Sequence, residues 1–498
     1  MATSVKSRFR KQVRGFVFVW TGLTVVLALG TFIAIYLAYG SITPTPGSRL
    51  GNLAIPETET SVAQVSTATE AVAPTATTAT VTEAAPTTDT STESTVEDAN
   101  GAEVAALSVN NAAPTATPLP SESDVFELGV QVQVSYDNMG QWIDTASQPH
   151  QLGVGWVKQQ IRWEAFEPAD NEFDWMQTDI YIPAAAERGI KVLVSIVTAP
   201  DWAREPGLTP EQLEAVGPPA DPNQFAEFIT ALLERYPNQI HAVEVWNEMN
   251  LDREWTSTEG LSAENYVNLL RVAYQAVKNV DPGVIVITGA LAPTGLSDGV
   301  QAYDDFVYID QLIAAGALNY SDCIGAHTNG FNLSPEYRWD DGMTDSTAQF
   351  RGPFDNPHHS WSFLSTIETY AQKVELAGGD QQICITEFGW PSAQGLEGVR
   401  PGFEFALDNT LREQAEFTVE AIRYMIASGY VRLGIVWNLN YGAQAGWDIN
   451  NDNVPYSLIG PGFHFRCAFD AIRDFNALYE SDPANLDTFE FDYEGRCV

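Results

Sequence analysis

The sequence is short of cysteine and of basic residues. Only Cys323, Cys384, Cys467 and Cys497 occur among 498 residues. No C-x-x-C pair is present, which argues against a structural zinc site. Cys323 and Cys384 lie in apolar runs and are expected to be small core residues. Cys467 and Cys497 both fall near the C-terminus, where outside the cell they can pair and tie down the tail. Lys and Arg number 25 against 65 Asp and Glu, for a net charge of −40. Nucleic-acid binding needs a basic surface and is excluded on that ground. A self-repelling acidic surface suits a soluble extracellular protein.

Other things are plentiful. Hydrophobic residues make up 45% and aromatics 11%, with 13 Trp. The first figure is that of a globular protein. Indoles suit the apolar face of a sugar ring, although large cores also consume many of them.

The N-terminus carries basic residues and no acid up to Arg14, including Lys6, Arg8, Arg10 and Lys11. Residues 1–15 are taken as a cytoplasmic segment. Residues 16–39 (Phe16 to Tyr39) hold no charge and suffice to span a hydrocarbon core of about 30 Å. The preceding positive charges place the following chain outside. A cleaved signal peptide is the competing reading, but its apolar core runs only about 7–15 residues. An uncleaved transmembrane signal anchor is therefore expected. Residues 40–123 are dominated by Thr, Ala, Ser, Pro, Val and Glu and lack aromatics. Such a segment cannot bury enough apolar surface to offset its ordering entropy. It reads as a disordered stalk with a reach of about 50 Å.

Residues 124–498 form the expected catalytic domain. Strands are predicted at 128–134, 156–162, 192–197, 242–246, 284–288, 323–327, 383–387 and 433–437. Helix-period stretches lie between them, among them 221–236, 263–280, 303–315, 361–377 and 409–428. Eight strands alternating with helices define an α/β fold, the (β/α)8 TIM barrel. A doubly wound open sheet is the alternative; the count of eight and the lack of a Gly-rich loop after the first strand favour the barrel. The longest additions, 202–219, 328–360 and 438–464, follow strand ends and should surround the mouth. The second contains Tyr337, Trp339, Asp340, Asp341, Arg351, Phe354, His358, His359 and Trp361, plausible sugar contacts as a group.

Two strands end alike. Val243-Glu244-Val245-Trp246-Asn247-Glu248 closes the fourth, and Ile383-Cys384-Ile385-Thr386-Glu387-Phe388-Gly389-Trp390 the seventh. Each apolar run delivers one glutamate to the strand end where barrel enzymes place their chemistry. A pair of carboxylates is the apparatus of glycosidic cleavage. Here the chain resembles the clan A glycoside hydrolases, (β/α)8 retaining glycosidases, and looks most like family 39 and family 5 enzymes. The resemblance rests on Trp246-Asn247-Glu248 and on Thr386 to Trp390, and covers about residues 124–479.

The resemblance implies that Glu248 is the general acid/base, with a raised pKa, and Glu387 the nucleophile. It implies that Asn247 binds the substrate 2-hydroxyl. Arg162, at the end of the second strand, would steady Glu387. His327 on the sixth strand would line the site, and Trp437 at the end of the eighth would floor it. Relatives carry a Tyr two residues after that His; Asn329 stands there instead, which leaves the aromatic neighbour of Glu387 open. Each residue also has a bland reading: a surface ion pair for the glutamates and Arg162, a core residue for Trp437. Glu164, Glu167 and Asp201 are expected to be structural. Glu244 is expected either as a buried acid behind Glu248 or as a mark of imperfect strand geometry. The acids and amides of 448–453 alternate as in a calcium loop, but Gly is missing at its sixth position and Ile459 holds its twelfth. A turn is preferred, and no metal or cofactor is expected. The chain is therefore expected to be a membrane-anchored glycosidase with a carbohydrate substrate. The alternative is a non-catalytic carbohydrate-binding or adhesion protein on the same barrel.

Overall fold

The computed structural model describes residues 125–498 except 137, 149, 341–357, 492–496 and 498. The expected anchor and stalk, and Asp341, Arg351 and Phe354 of the mouth loop, lie outside the described residues. Among the described residues no helix is long and apolar enough to cross a membrane.

Eight parallel strands close into a barrel in chain order. They are β1 (Glu127–Gln131), β2 (Trp156–Arg162), β3 (Lys191–Val197), β4 (Ala242–Val245), β5 (Ile285–Thr288), β6 (Cys323–His327), β7 (Gln382–Phe388) and β8 (Val431–Val436). Closure comes from β1 pairing with β8, with Gly129 opposite Ile435. A major helix follows each strand: α1 (Met139–Ser147), α2 (Thr178–Ala186), α3 (Pro222–Arg235), α4 (Ala263–Val280), α5 (Asp305–Ala314), α6 (Phe363–Leu376), α7 (Leu411–Ser428) and α8 (Cys467–Ser481). Their starts obey local chemistry. Asp221 caps α3 with Pro222 in its first turn, and Thr410 and Glu413 form a reciprocal capping box on α7. The α2 segment carries Pro183 inside it, which blurs its helical signature in the sequence.

Strand alternation sorts the barrel interior into layers. The lowest is apolar and includes Trp156, Leu193, Ala242, Ile287, Cys323, Cys384 and Leu433. Cys323 and Cys384 are buried as expected but are also joined by a disulfide, with Cα atoms 5.8 Å apart. That corrects the reading of them as simple core residues. The bond arises from register: Gly325 pairs with Cys384, so the two cysteines share one face of adjacent strands. Cys467 is bonded to Cys497, which ties α8 to the tail. Two residues further along β2, β3, β4 and β7, the interior turns polar, with Lys158, Ser195, Glu244 and Thr386 all fully buried.

Candidate active site

The end of β4 is built tightly. Trp246 and Glu248 adopt left-handed backbone, with φ of 78° and 43°. Such non-glycine residues cost on the order of 1–3 kcal/mol and persist where the surroundings hold them. Here Trp246 is fully buried and its Nε1 donates to the Glu254 carbonyl at 2.7 Å. Asn250 donates to the carbonyls of Ala292 and Tyr303, each at 2.9 Å. The loop is thus bent back over its own strand, and Glu248 is presented at the mouth. His327 Nδ1 lies 3.0 Å from Glu248 Oε1, and Arg253 Nη2 donates to Oε2 at 3.0 Å.

Glu387 is set by the end of β7. Pairing slips between Ile385 and Phe388, and between Ala326 and His327 on the neighbouring strand. A bulge of this kind re-aims a side chain at a strand end. Beyond it, a Cβ on Gly389 would lie 2.7 Å from the Trp437 carbonyl oxygen, so this position of the motif admits only glycine. Lys158 Nζ donates to Glu387 Oε1 at 3.1 Å and to the Thr386 carbonyl at 3.2 Å. It also lies 3.1 Å from Glu244 Oε2. Thr386 Oγ1 in turn donates to Glu244 Oε1 at 2.6 Å. Burial alone would lower the Lys158 pKa; the carboxylates of Glu244 and Glu387 outweigh it and hold it above its ordinary value. His327 Nε2 stands 3.7 Å from Glu387 Oε1. One buried imidazole therefore faces both glutamates. Its pKa is raised, since Glu387 and Glu248 overcome the effect of burial.

The structure thus brings Glu248, Glu387 and His327 together and leaves Arg162 out. Arg162 is half exposed and donates to Glu164 at 2.6 and 2.9 Å. Lys158, four residues earlier on the same face of β2, holds Glu387 in its place. Asn247 is buried beside Glu248, and its Oδ1 has no protein partner. Trp437 follows β8, its ring 5.0 Å from that of Tyr441. Tyr441 is the missed aromatic neighbour: burial first, then the charge of Glu387, push its phenol up to about 12. Its position after β8 offers no sequence signal. Glu244 is the buried acid behind the site. Glu167 accepts from Trp163 Nε1 at 2.7 Å and from the Asn171 amide at 2.8 Å, a structural use.

The raised pKa expected of Glu248 is not found. Burial favours its protonated form, but His327 and Arg253 prevail and bring it down to about 2. The neighbouring Glu254 behaves oppositely. Burial, then the charge of Glu248, lift it to about 7.

A cleft of 570 Å³ opens above Glu248 and His327. Arg253 lines it after β4, Thr294 after β5, Phe331 and Trp361 after β6, Phe403 after β7 and Tyr456 after β8. Among the described residues, Asp304, His358 and His359 come close enough to suggest a metal site. Two of their ring nitrogens already have protein partners. His359 Nε2 lies at hydrogen-bond distance, 2.7 Å, from Asp304 Oδ2. His358 Nδ1 accepts the Ser360 amide, which leaves the hydrogen of the neutral ring on Nε2. The segment 448–453 is a turn, in which Asp448 accepts from the Asn450 amide and Asn451 from that of Asn453.

A closed parallel barrel presenting two carboxylates at the ends of β4 and β7, beside a cleft edged with aromatic rings, is an arrangement that carbohydrate-cleaving enzymes use. Residues 127–288, about a third of the chain, match the model of glycosyl hydrolase family 10. Over that stretch the chain is similar to glycoside hydrolases. No curated protein matches it. A family 39 glycoside hydrolase from the gut symbiont Bacteroides cellulosilyticus WH2 is 18% identical with a TM-score of 0.49, over 72% of this chain and 64% of that one. The chain thus spans under two thirds of that relative's length. A GH39 β-xylosidase from Caulobacter crescentus is 17% identical with a TM-score of 0.47, over 71% of each chain. Xylanase 10B from Thermotoga petrophila RKU-1 is 16% identical with a TM-score of 0.44, over 72% of this chain and 96% of that one.

Proposed function

We propose that this protein hydrolyses O-glycosidic bonds of an extracellular oligo- or polysaccharide by retaining double displacement. Glu387 attacks the anomeric carbon while Glu248 gives a proton to the leaving oxygen. Water then releases the covalent glycosyl-enzyme, with Glu248 taking its proton. The observation that carries the reading is His327 set between both glutamates, 3.0 Å from one and 3.7 Å from the other, at the base of the cleft. Lys158 orients Glu387, Asn247 contacts the sugar 2-hydroxyl, and Trp437 with Tyr441 floors the reacting ring. Arg162 serves the rim through Glu164. Attachment to the membrane by residues 16–39, with the barrel outside, is part of the same proposal. The charge-free run and its basic flank support it, and two disulfides fit an oxidising compartment.

The test is product formation by the full chain in detergent on a panel of aryl β-glycosides and polysaccharides, beside Glu248→Gln and Glu387→Gln. Turnover with retained configuration, lowered at least about 10³-fold by either substitution, is expected. Inverted product, or activity indifferent to Glu387, would sink the mechanism. Glycan binding without turnover, unchanged in both variants, would make this a binding protein.

A further inference from the structure

Two histidines and an aspartate meet where the loop after β6 reaches the start of α5. Asp304 caps α5: its Oδ1 accepts from the amides of Phe306 at 2.9 Å and Val307 at 3.2 Å. These bonds fix the carboxylate and leave Oδ2 toward two imidazoles. His359 Nε2 is 2.7 Å from Oδ2, and His358 Nε2 is 4.0 Å from it. One ligand atom from each of the three residues lies within 4.8 Å of the others. Phe306 sets the plane of the His359 ring, stacked on it at 3.7 Å and 12°. Both rings are backed at Nδ1. Ser360 Oγ stands 2.8 Å from His358 Nδ1, and Asp305 Oδ1 stands 3.7 Å from His359 Nδ1. Asp305 in turn accepts from the Tyr370 hydroxyl at 3.0 Å.

The bonds within this cluster leave two buried atoms opposed. His359 and Asp305 are buried, and Nδ1 of the one and Oδ1 of the other have no hydrogen-bond partner. With the hydrogen of His359 on Nε2, given to Asp304, Nδ1 turns a lone pair toward a carboxylate. Two buried acceptors facing each other are costly. Without a metal, a proton held on Asp305 or a second proton on the ring relieves this. A cation at Nε2 relieves it with no added proton, because the ring hydrogen moves to Nδ1 and faces Asp305. A carboxylate behind a metal-bound imidazole orients the ring in just this manner. For His358 the same shift takes the hydrogen from Nε2 to Nδ1. Ser360 Oγ then accepts it, at the cost of the hydrogen bond from the Ser360 amide.

We propose that Asp304, His358 and His359 form a zinc site, with Oδ2 and the two Nε2 atoms as ligands and water in the fourth position. Two imidazoles with one carboxylate suit zinc, whereas calcium takes oxygen ligands. Tetrahedral zinc with bonds of about 2.0–2.2 Å asks its ligand atoms to sit about 3.3 Å apart. His358 thus moves toward Oδ2, and His359 away from it, by less than about 1 Å. The His358 side chain is 27% exposed, which gives water a way in. The ion ties the loop after β6 to the first turn of α5. Trp361, two residues beyond His359, lines the cleft and packs on Phe331 at 4.7 Å. Zinc at this point therefore fixes one wall of the cleft.

The experiment needs no substrate. The full chain in detergent, stripped with EDTA and exchanged into chelator-free buffer, is titrated with zinc or with calcium. Bound metal is counted by equilibrium dialysis and atomic emission, and the melting temperature is followed. The wild type should bind about one zinc per chain. At about 100 times the Kd, zinc should raise the melting temperature by about 3 °C or more. Calcium should do neither. Three variants are read beside it. His359→Phe keeps a ring stacked on Phe306, Asp304→Ser keeps an oxygen to cap α5, and His358→Ala leaves both features intact. Each should weaken zinc binding by at least about 100-fold, and Asp305→Asn, which alters only the orienting acceptor, by about 10-fold or more. Melting without metal identifies the variants that are folded, and any one of the three ligand variants suffices for the comparison. Zinc held as tightly by the folded variants as by the wild type would place it elsewhere and overturn the proposal. A wild type that binds no zinc would overturn it too, and would leave His359 as a protonated ring between two aspartates. A response to calcium and none to zinc would do the same.

Discussion

Lys158 shows how much of the site depends on one side chain. It is completely buried, and its ammonium faces two carboxylates and a carbonyl oxygen. Removing one member of a buried ion-paired group strands the others without compensation, at about 3–5 kcal/mol. Lys158→Met should therefore destabilise the barrel by about that much, read as a drop in the urea midpoint. Glu244→Gln placed in the same molecule should recover a large part of the loss, since the stranded charge is then gone. The double variant should remain inactive, because Glu387 still lacks its orienting ammonium. Stability indifferent to Lys158→Met would mean that the ion pairs contribute nothing. The lysine was present in the sequence to be read. Period-two alternation places Lys158, Gln160 and Arg162 on one face of β2, and the clan pattern selected the strand end. What decides between them is depth in the barrel, which alternation does not report.

At the scale of elements, strand ends and their spacing carried the fold. Each predicted strand overlaps an observed one, and the helix at 263–280 is matched at both ends. Glu248 and Glu387 were legible because an apolar run stopping at a carboxylate is a local signal. The Cys323–Cys384 bond was not, since it depends on the relative register of β6 and β7. Arg253 and Glu254 were hidden for a similar reason: the turn that returns them to Glu248 is made by Trp246 and Asn250, through contacts between distant residues. The disulfide also makes a prediction. It closes a loop across a sequence separation of 61, for which loop entropy gives about 4 kcal/mol. Replacing both cysteines with serine should lower stability by about that amount in urea unfolding. Both sulfurs lie in the sealed lower layer. Dithiothreitol should therefore leave the folded protein oxidised and reduce it only as it unfolds, as thiol alkylation read by mass spectrometry would report. Rapid labelling of Cys323 in the native state would contradict the packing described here.

For the whole molecule, the pH dependence of stability follows from groups whose shifts oppose one another. Glu248 is held at about 2 against an ordinary value of 4.5. A depressed carboxyl contributes stability that is complete above its unfolded value and lost as pH falls towards 2. Glu254 and Asp305 are shifted the other way, each to about 7. For Asp305 the cause is burial at the start of α5, where its Oδ2 accepts from the Tyr370 hydroxyl at 3.0 Å. Between their unfolded values and 7, the folded state binds more protons at these two sites than the unfolded chain does. Stability must then fall as pH rises through that window. The net charge of −40 adds repulsion in the same direction as acids ionise, although salt screens it. The melting temperature should accordingly be highest near pH 5 and decline towards pH 8. At high salt the decline should persist, because buried carboxyls are screened far less than surface ones. Combining Glu254→Gln with Asp305→Asn should flatten the remaining slope. A slope that salt abolishes in the wild type, and that the double variant leaves unchanged, would assign the effect to surface charge and remove both carboxyls from the account.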